Sequence, residues 1–245
     1  MSRYILVHGA WEGAWSWENV IPILEKQGHR VEVIELPGSF SNMKPIHEVT
    51  LDSYVQLVTE QIKSSSENVV LVGHSLGGVV ISQVAEQLSD RIEKLVFVTA
   101  FLIENGATAL GAMQSDADGQ MLPNIMFSDD QTYGKVPEDV WREVAFHDAE
   151  ESDVDAALSR TSVKQATEPF LAELNLTPER FGSVPKSYIK TSIDRVLSPA
   201  LQDRMIQSWD VEDVVTLKSG HFPALSIPTQ LAKAIMKLSE VVDAI

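Results

Sequence analysis

The run Asn68-Val69-Val70-Leu71-Val72 leads without a break into Gly73-His74-Ser75-Leu76-Gly77-Gly78. A valine-rich apolar run feeding G-x-S-x-G reads as a buried strand turning sharply into a helix, the arrangement called a nucleophile elbow. The turn is tight enough to hold the serine in a strained backbone conformation, so Gly73 and Gly77 stand two positions either side of it. The stretch Val79–Leu88 then reads as the helix, whose positive N-terminal end lies behind the Ser75 hydroxyl. Few chains carry this sequence of strand, strained serine and helix for any purpose other than presenting a hydroxyl at a sheet edge.

Around the elbow, strand-like and helix-like stretches alternate, which predicts an α/β domain on a mainly parallel sheet of at least six strands flanked by helices. Strands are expected at Tyr4–Val7, Val31–Glu35, Val69–Val72, Ile92–Phe101, Ser187–Thr191 and Val211–Leu217. Helices are expected at Ser16–Gln27 (stopped by Gly28), Leu51–Lys63 (N-capped by Thr50), Pro199–Ser208 and Pro228–Val242. Between about Leu102 and Val184 the alternation stops. Turn residues, acidic clusters and scattered large apolars (Met113, Met121, Met126, Phe127, Trp141, Phe146, Phe170) take over. One domain over residues 1–245 is expected, its core formed by 1–103 and 185–245. A mostly helical cap subdomain at about 104–184 interrupts that core, since a connection this long in a compact domain is usually functional. Glu150–Asp155 reads as a solvated helix end and Ser115–Gly119 as a turn, neither of them as a metal site.

The 245 residues are 44% apolar, enough for a sizeable core. With 19 Lys+Arg against 35 Asp+Glu the net charge is −16. Such a field repels polyanions, so nucleic acid and anionic membrane surfaces are not expected partners. The absence of cysteine excludes disulfides, a thiolate nucleophile and thiolate metal sites. Neither a signal peptide nor a run of about 18 apolar residues is found, so a cytoplasmic location is expected.

A serine at neutral pH needs a base within hydrogen-bond reach. Of six histidines, His8 and His74 sit where side chains usually brace backbone, His29 in a surface turn, and His47 and His147 in polar sequence. His221, in Ser219-Gly220-His221, follows the last strand at the carboxyl edge of the sheet, where ligands gather in open α/β sheets. Asp194, three residues past the strand Ser187–Thr191, is the expected orienting acid and gives the chain order Ser, Asp, His that accompanies this elbow. Its rivals are Glu104, Asp203, Asp210 and Asp213. The main-chain N–H groups of Ala10 and Leu76 are the expected oxyanion hole, and Gly9 leaves room for the backbone to approach a substrate.

Together these residues resemble the α/β-hydrolase superfamily. The loop Val7-His8-Gly9-Ala10-Trp11-Glu12-Gly13-Ala14-Trp15-Ser16-Trp17 is similar to the HGA-x-x-G-x-W-x-W loop of the plant methylesterase and hydroxynitrile lyase branch, whose bacterial look-alikes include pyrethroid-hydrolysing carboxylesterases. Gly28-His29-Arg30-Val31, Leu36-Pro37-Gly38 and Gly220-His221 through Pro228 are similar too. The resemblance covers roughly residues 3–103 and 185–242. It implies an α/β-hydrolase fold and a small-ester hydrolase with no cofactor and no metal. In the lyases of this branch a threonine follows the loop histidine and a lysine follows the catalytic one. Here those positions hold Gly9 and Phe222, which favours the esterase. The pair Trp11-Glu12 also departs from the Cys-His common in plant members. Trp11 is placed either to wall the acyl pocket or to pack beneath the cap.

The expected activity is therefore cleavage of a small carboxylic ester with an apolar acyl or alcohol part, through Ser75, His221 and Asp194. The expected contacts to that small-molecule substrate are Gly9, Trp11, Phe101, Met121, Phe127, Trp141, Phe146 and Phe222. Alternatives are a hydroxynitrile lyase-like or carbon–carbon-cleaving enzyme on the same fold, or a non-catalytic ligand receptor. A homodimer is left open.

Overall fold

The computed structural model describes residues 1–239. Its central sheet is made by β1 (Arg3–Val7), β2 (Arg30–Ile34), β3 (Val69–His74), β4 (Ile92–Val98), β8 (Lys186–Thr191) and β9 (Asp213–Leu217), in the order β2-β1-β3-β4-β8-β9. Every pairing is parallel. Parallel strands need crossover connections, and the helices that supply them cover both faces, so the middle of the sheet carries continuous apolar runs. Tyr4–Val7, Val69–Val72 and Leu95–Val98 are entirely enclosed.

The flanking helices are α1 (Ile21–Lys26), α2 (Leu51–Lys63), α3 (Gly77–Leu88), α8 (Pro199–Gln207), α9 (Pro223–Ser226) and α10 (Pro228–Ser239). Side chains of α2 and α3 fill one face of the sheet, among them Val55, Val58, Ile62, Val80 and Val84. Trp17, Leu24, Leu231, Ile235 and Leu238 fill the other. Thr50 caps α2 as expected: its hydroxyl accepts from Ser53 N–H while the Ser53 hydroxyl accepts from Thr50 N–H. The expected helix Ser16–Gln27 is instead broken, into a 3₁₀ turn at Ala14–Trp17 and α1. Pro22 is the reason, because its missing N–H and its ring are tolerated only in the first turn of a helix. The last residues of the expected helix Pro228–Val242 lie outside the described residues.

β4 and β8 are sheet neighbours, so everything between them is an excursion from the sheet. It carries α4 (Ala109–Gln114), β5 (Met126–Phe127), β6 (Tyr133–Lys135), α5 (Glu138–Val140) continued by a π turn at Trp141–Ala145, α6 (Glu151–Leu158), β7 (Gln165–Ala166) and α7 (Glu168–Leu171). Helical pieces predominate. The antiparallel sheet β5-β6-β7 is an addition to what the sequence led us to expect. Its strands are two or three residues long, too short for alternation to register. Glu151 and Asp155 of α6 pair with Arg142. Asp116 accepts hydrogen bonds from the N–H and hydroxyl of Ser198, fastening the excursion to the start of α8. Among the described residues no helix is long and apolar enough to cross a membrane.

Candidate active site

β3 ends at His74, α3 begins at Gly77, and Ser75 in the turn between them has φ +50°. An L-residue adopts that conformation only where the surroundings over-determine it. Here they do. Ser75 N–H donates to Val98 O, and Ser75 O accepts from both Gly78 and Phe101 N–H. The turn also needs its glycines for packing: a Cβ on Gly78 would lie 2.4 Å from Phe101 O, and one on Gly77 2.7 Å from Val7 O.

Strain recurs around this serine. Trp11 (φ +60°), Thr99 (φ +35°) and Ser75 are three of the four non-glycine residues with positive φ among those described, and all three stand just beyond the carboxyl ends of β1, β3 and β4. Thr99 is β-branched, for which such a φ is a genuine outlier. Its hydroxyl donates to Asp194 Oδ2.

The Ser75 hydroxyl lies 2.9 Å from His221 Nε2, and His221 Nδ1 lies 2.8 Å from Asp194 Oδ2. All three residues are buried. Asp194 Oδ1 accepts from the N–H groups of Val196 (2.7 Å) and Leu197 (3.0 Å), and Oδ2 accepts also from the Thr191 hydroxyl. Burial alone would push this carboxyl's pKa up. The facing His221, the Thr99 hydroxyl and the Val196 N–H outweigh it and hold the pKa below the ordinary value. The rival acids are elsewhere: Glu104, Asp203, Asp210 and Asp213 are exposed, Asp203 paired with Lys190.

The loop bearing His221 is fixed from the excursion, where Asp148 Oδ2 accepts from Gly220 N–H and the Ser219 hydroxyl. The loop after β1 is fixed by His8, whose Nε2 accepts from Leu36 N–H while Nδ1 donates to Gly9 O. That pattern makes His8 neutral, in keeping with burial pushing its pKa down. Ala10 N–H and Leu76 N–H make no hydrogen bond within the described protein. Leu76 is the N-cap of α3, so its N–H adds to the positive end of that helix.

A cavity of about 20 Å³, room for roughly one water, lies at the Ser75 hydroxyl. Its walls include five of the eight expected contact residues: Trp11, Phe101, Met121, Trp141 and Phe222. Gly9 lies beneath the serine instead, where a Cβ would sit 2.7 Å from Ser75 Cβ. Phe146 is one layer back, stacked on Trp141 with centroids 5.4 Å apart and packed on Phe222 at 4.6 Å. Phe127 stands away from the serine on β5, 46% exposed, in the wall of a second chamber of about 400 Å³. Trp11, Met113 and Phe170 belong to the walls of both spaces.

Trp11 is tied to the excursion at three points. Its N–H donates to Gln165 Oε1, its indole N–H to Gly134 O, and its carbonyl accepts from Ser162 N–H. Trp11 thus lines the small cavity and is packed against the excursion at once. Sequence reasoning overlooked Glu12, which is buried, lines the small cavity and pairs with His74 at 2.9 Å. The available signal was a carboxylate beside the expected oxyanion loop with a histidine in the elbow itself. Among the described residues no group of three or more His, Cys, Asp or Glu could hold a metal ion.

The alpha/beta hydrolase family profile matches residues 4–234. Putative methylesterase 11, chloroplastic, of Arabidopsis thaliana is 30% identical over 98% of the chain, which spans 64% of that relative's length. Methylesterase 9 of the same plant is 28% identical, over 98% of this chain and 99% of its own. The crystal structure of a pyrethroid hydrolase from Sphingobium faniae JZ-2 superposes with a TM-score of 0.87 at 27% identity, covering 98% of both chains.

Proposed function

Because the chain belongs to the alpha/beta hydrolase family, we propose that it is a serine esterase acting on small carboxylic esters with an apolar acyl or alcohol part. The observation that carries this reading is the buried hydrogen-bond chain from Ser75 through His221 to Asp194, beside two main-chain N–H groups left without acceptors. The methylesterases and the pyrethroid hydrolase similar to this chain support ester cleavage.

In this mechanism His221 Nε2 takes the Ser75 proton as Oγ attacks the ester carbonyl carbon. The carbonyl oxygen gains the negative charge, and Ala10 and Leu76 N–H groups receive it. Asp194 keeps His221 in the tautomer whose Nε2 can accept, and stabilises the imidazolium. The C–O bond to the alcohol breaks as His221 returns the proton to the leaving oxygen. Water, deprotonated by His221, then attacks the acyl-enzyme, releasing the acid and restoring Ser75.

Residues 104–184 serve in this reading as a cap over the sheet edge. The small cavity accepts only the reacting group, and the larger chamber takes the apolar remainder of the ester, as ligand pockets are mostly apolar. Leu110, Met113, Leu122, Ile125 and Phe170 are among its walls. Phe222, buried beside His221, stands where the lyases of this branch carry a lysine, which disfavours the lyase reading. The test is a panel of methyl esters, aryl acetates, pyrethroid-type esters and a dianionic ester. Turnover of neutral esters is expected, and faster turnover of the dianionic one would contradict the apolar pocket.

Trp11 is the bulkiest of the three side chains shared by the walls of both spaces, so it should set ester size. Trp11→Leu is expected to raise kcat/KM for a bulky ester relative to an aryl acetate by roughly tenfold, the low end of what one methylene is worth in an apolar pocket. An unchanged ratio would remove Trp11 from specificity.

A further inference from the structure

Glu12 and His74 have no part in the acyl-transfer steps, yet His74 is joined through the main chain to both reacting residues. His74 immediately precedes Ser75. Its Nδ1 lies 2.9 Å from Glu12 Oε1 and its Nε2 2.7 Å from the main-chain carbonyl of His221. The His74 and His221 rings are 4.9 Å apart. The side chains of His74 and Glu12 are 6% and 2% exposed, so the contact is dry. A carboxylate and a carbonyl can only accept, so an imidazole bonded to both must carry a proton on each nitrogen. His8, one loop away, has one donor and one acceptor as partners and is the contrasting neutral case.

We infer that the Glu12–His74 ion pair is a positioning device: its imidazolium clamps the main chain of the base His221 to the nucleophile elbow, and loss of its Nδ1 proton, which leaves two acceptors face to face, loosens the clamp. This rests on the esterase reading. The site has a reason to hold its second cation in balance. His221 becomes an imidazolium during the reaction, and an unpaired His74 cation at this distance would oppose that charge. Glu12 cancels it. The other titratable groups facing His74 are Asp194, whose charge supports its protonation, and His8, which burial keeps neutral; Glu35 lies behind His8. Burial works against both charges of the pair. The Glu12 carboxylate nonetheless holds His74 above the ordinary histidine value, and His74 in turn holds Glu12 below the ordinary carboxylate value.

The sign of the pH dependence follows. A raised histidine pKa means that the clamp is in place at lower pH and is lost as pH rises through that value. The parent enzyme should therefore lose kcat on the alkaline side. In Glu12→Gln the amide can donate to a neutral His74 Nδ1, so the packing is kept while the charge is gone. Its neutral Nε2–H still reaches the His221 carbonyl, but more weakly than the charged donor, so that variant is expected to lose roughly tenfold in kcat through a small misplacement of the base. Its KM should stay within about twofold, and its alkaline limb should move to lower pH.

Nitrogen-15 NMR of the parent imidazoles, with His74 assigned through its loss in His74→Gln, reads the proton count directly. It also decides the matter should Glu12→Gln fail to fold. A doubly protonated His74 at neutral pH that titrates where kcat falls is the expected result. A singly protonated His74 in the parent, or parent-like kcat and pH profile in Glu12→Gln, would overturn the inference. A parent that cleaves no ester would sink the esterase reading, while the NMR result would still decide the state of the pair.

Discussion

Replacing Ser75 by alanine should lower kcat on a short aryl ester by a factor of about 10⁵–10⁶, with KM within about threefold. The size follows from the role proposed for the hydroxyl. Without it no acyl-enzyme forms, and only the unengaged N–H groups and the apolar walls remain to favour attack by water. The fold should not suffer. Alanine at φ +50° is no more strained than serine, and the main-chain bonds that hold the turn remain. The hydroxyl's hydrogen bond to His221 is the interaction that alanine cannot make. Urea unfolding of parent and variant should agree within about 1 kcal/mol. Full activity in Ser75→Ala would refute the mechanism, and a large loss of stability would leave the activity loss unattributed to chemistry.

Asp194→Asn should be nearly as damaging, lowering kcat by about 10⁴. Asp194 receives hydrogen bonds on both oxygens: from His221, Thr99 and Thr191 on one, and from the main-chain N–H groups of Val196 and Leu197 on the other. An amide must turn its NH₂ toward one of these donor sets. Turned toward His221, it donates to Nδ1 and forces the proton onto Nε2, the wrong tautomer for accepting from Ser75. Turned toward Val196 and Leu197, it opposes two main-chain donors. The second orientation costs stability, so the variant should also unfold more readily near neutral pH. Because the native carboxyl is held below its unfolded value, its stabilising contribution is present above the unfolded pKa and disappears as pH falls through the folded one. The stability difference between parent and variant should therefore shrink in acid. A kcat reduced less than about tenfold would mean that Asp194 does not orient the base.

The sheet could be read from the sequence because β1, β3 and β4 carry short apolar runs and every strand is bounded by a turn or a helix start. Ser75, His221 and Asp194 were findable for the same reason, since each follows the end of a recognisable strand and parallel strands deliver their ends to one edge. The helix Ser16–Gln27 was misjudged through its apolar spacing, which runs across Pro22 without registering the break. The excursion between β4 and β8 resisted reading because its helices are mostly one or two turns long and its strands two or three residues. What orders it is polar and long-range: Asp116 with Ser198, Asp148 with Gly220, Gln165 with Trp11. Phe127 and Phe146 illustrate the limit. Both are large, apolar and part of the excursion expected to cover the site, yet one faces outward and the other supports Trp141 from behind. Glu12 was missed because its partner His74 lies far along the chain and meets it only when β1 and β3 pair side by side.

An acyl group that passes through Ser75 leaves a covalent intermediate that can be trapped. Intact-mass measurement after mixing the protein with a p-nitrophenyl ester and stopping the reaction in acid within seconds tests for it directly. A single added acyl group is expected, mapped by peptide sequencing to the segment containing Ser75, and absent in Ser75→Ala. Turnover of the same ester with no adduct in the parent, or an adduct that persists in Ser75→Ala, would contradict acyl transfer through Ser75.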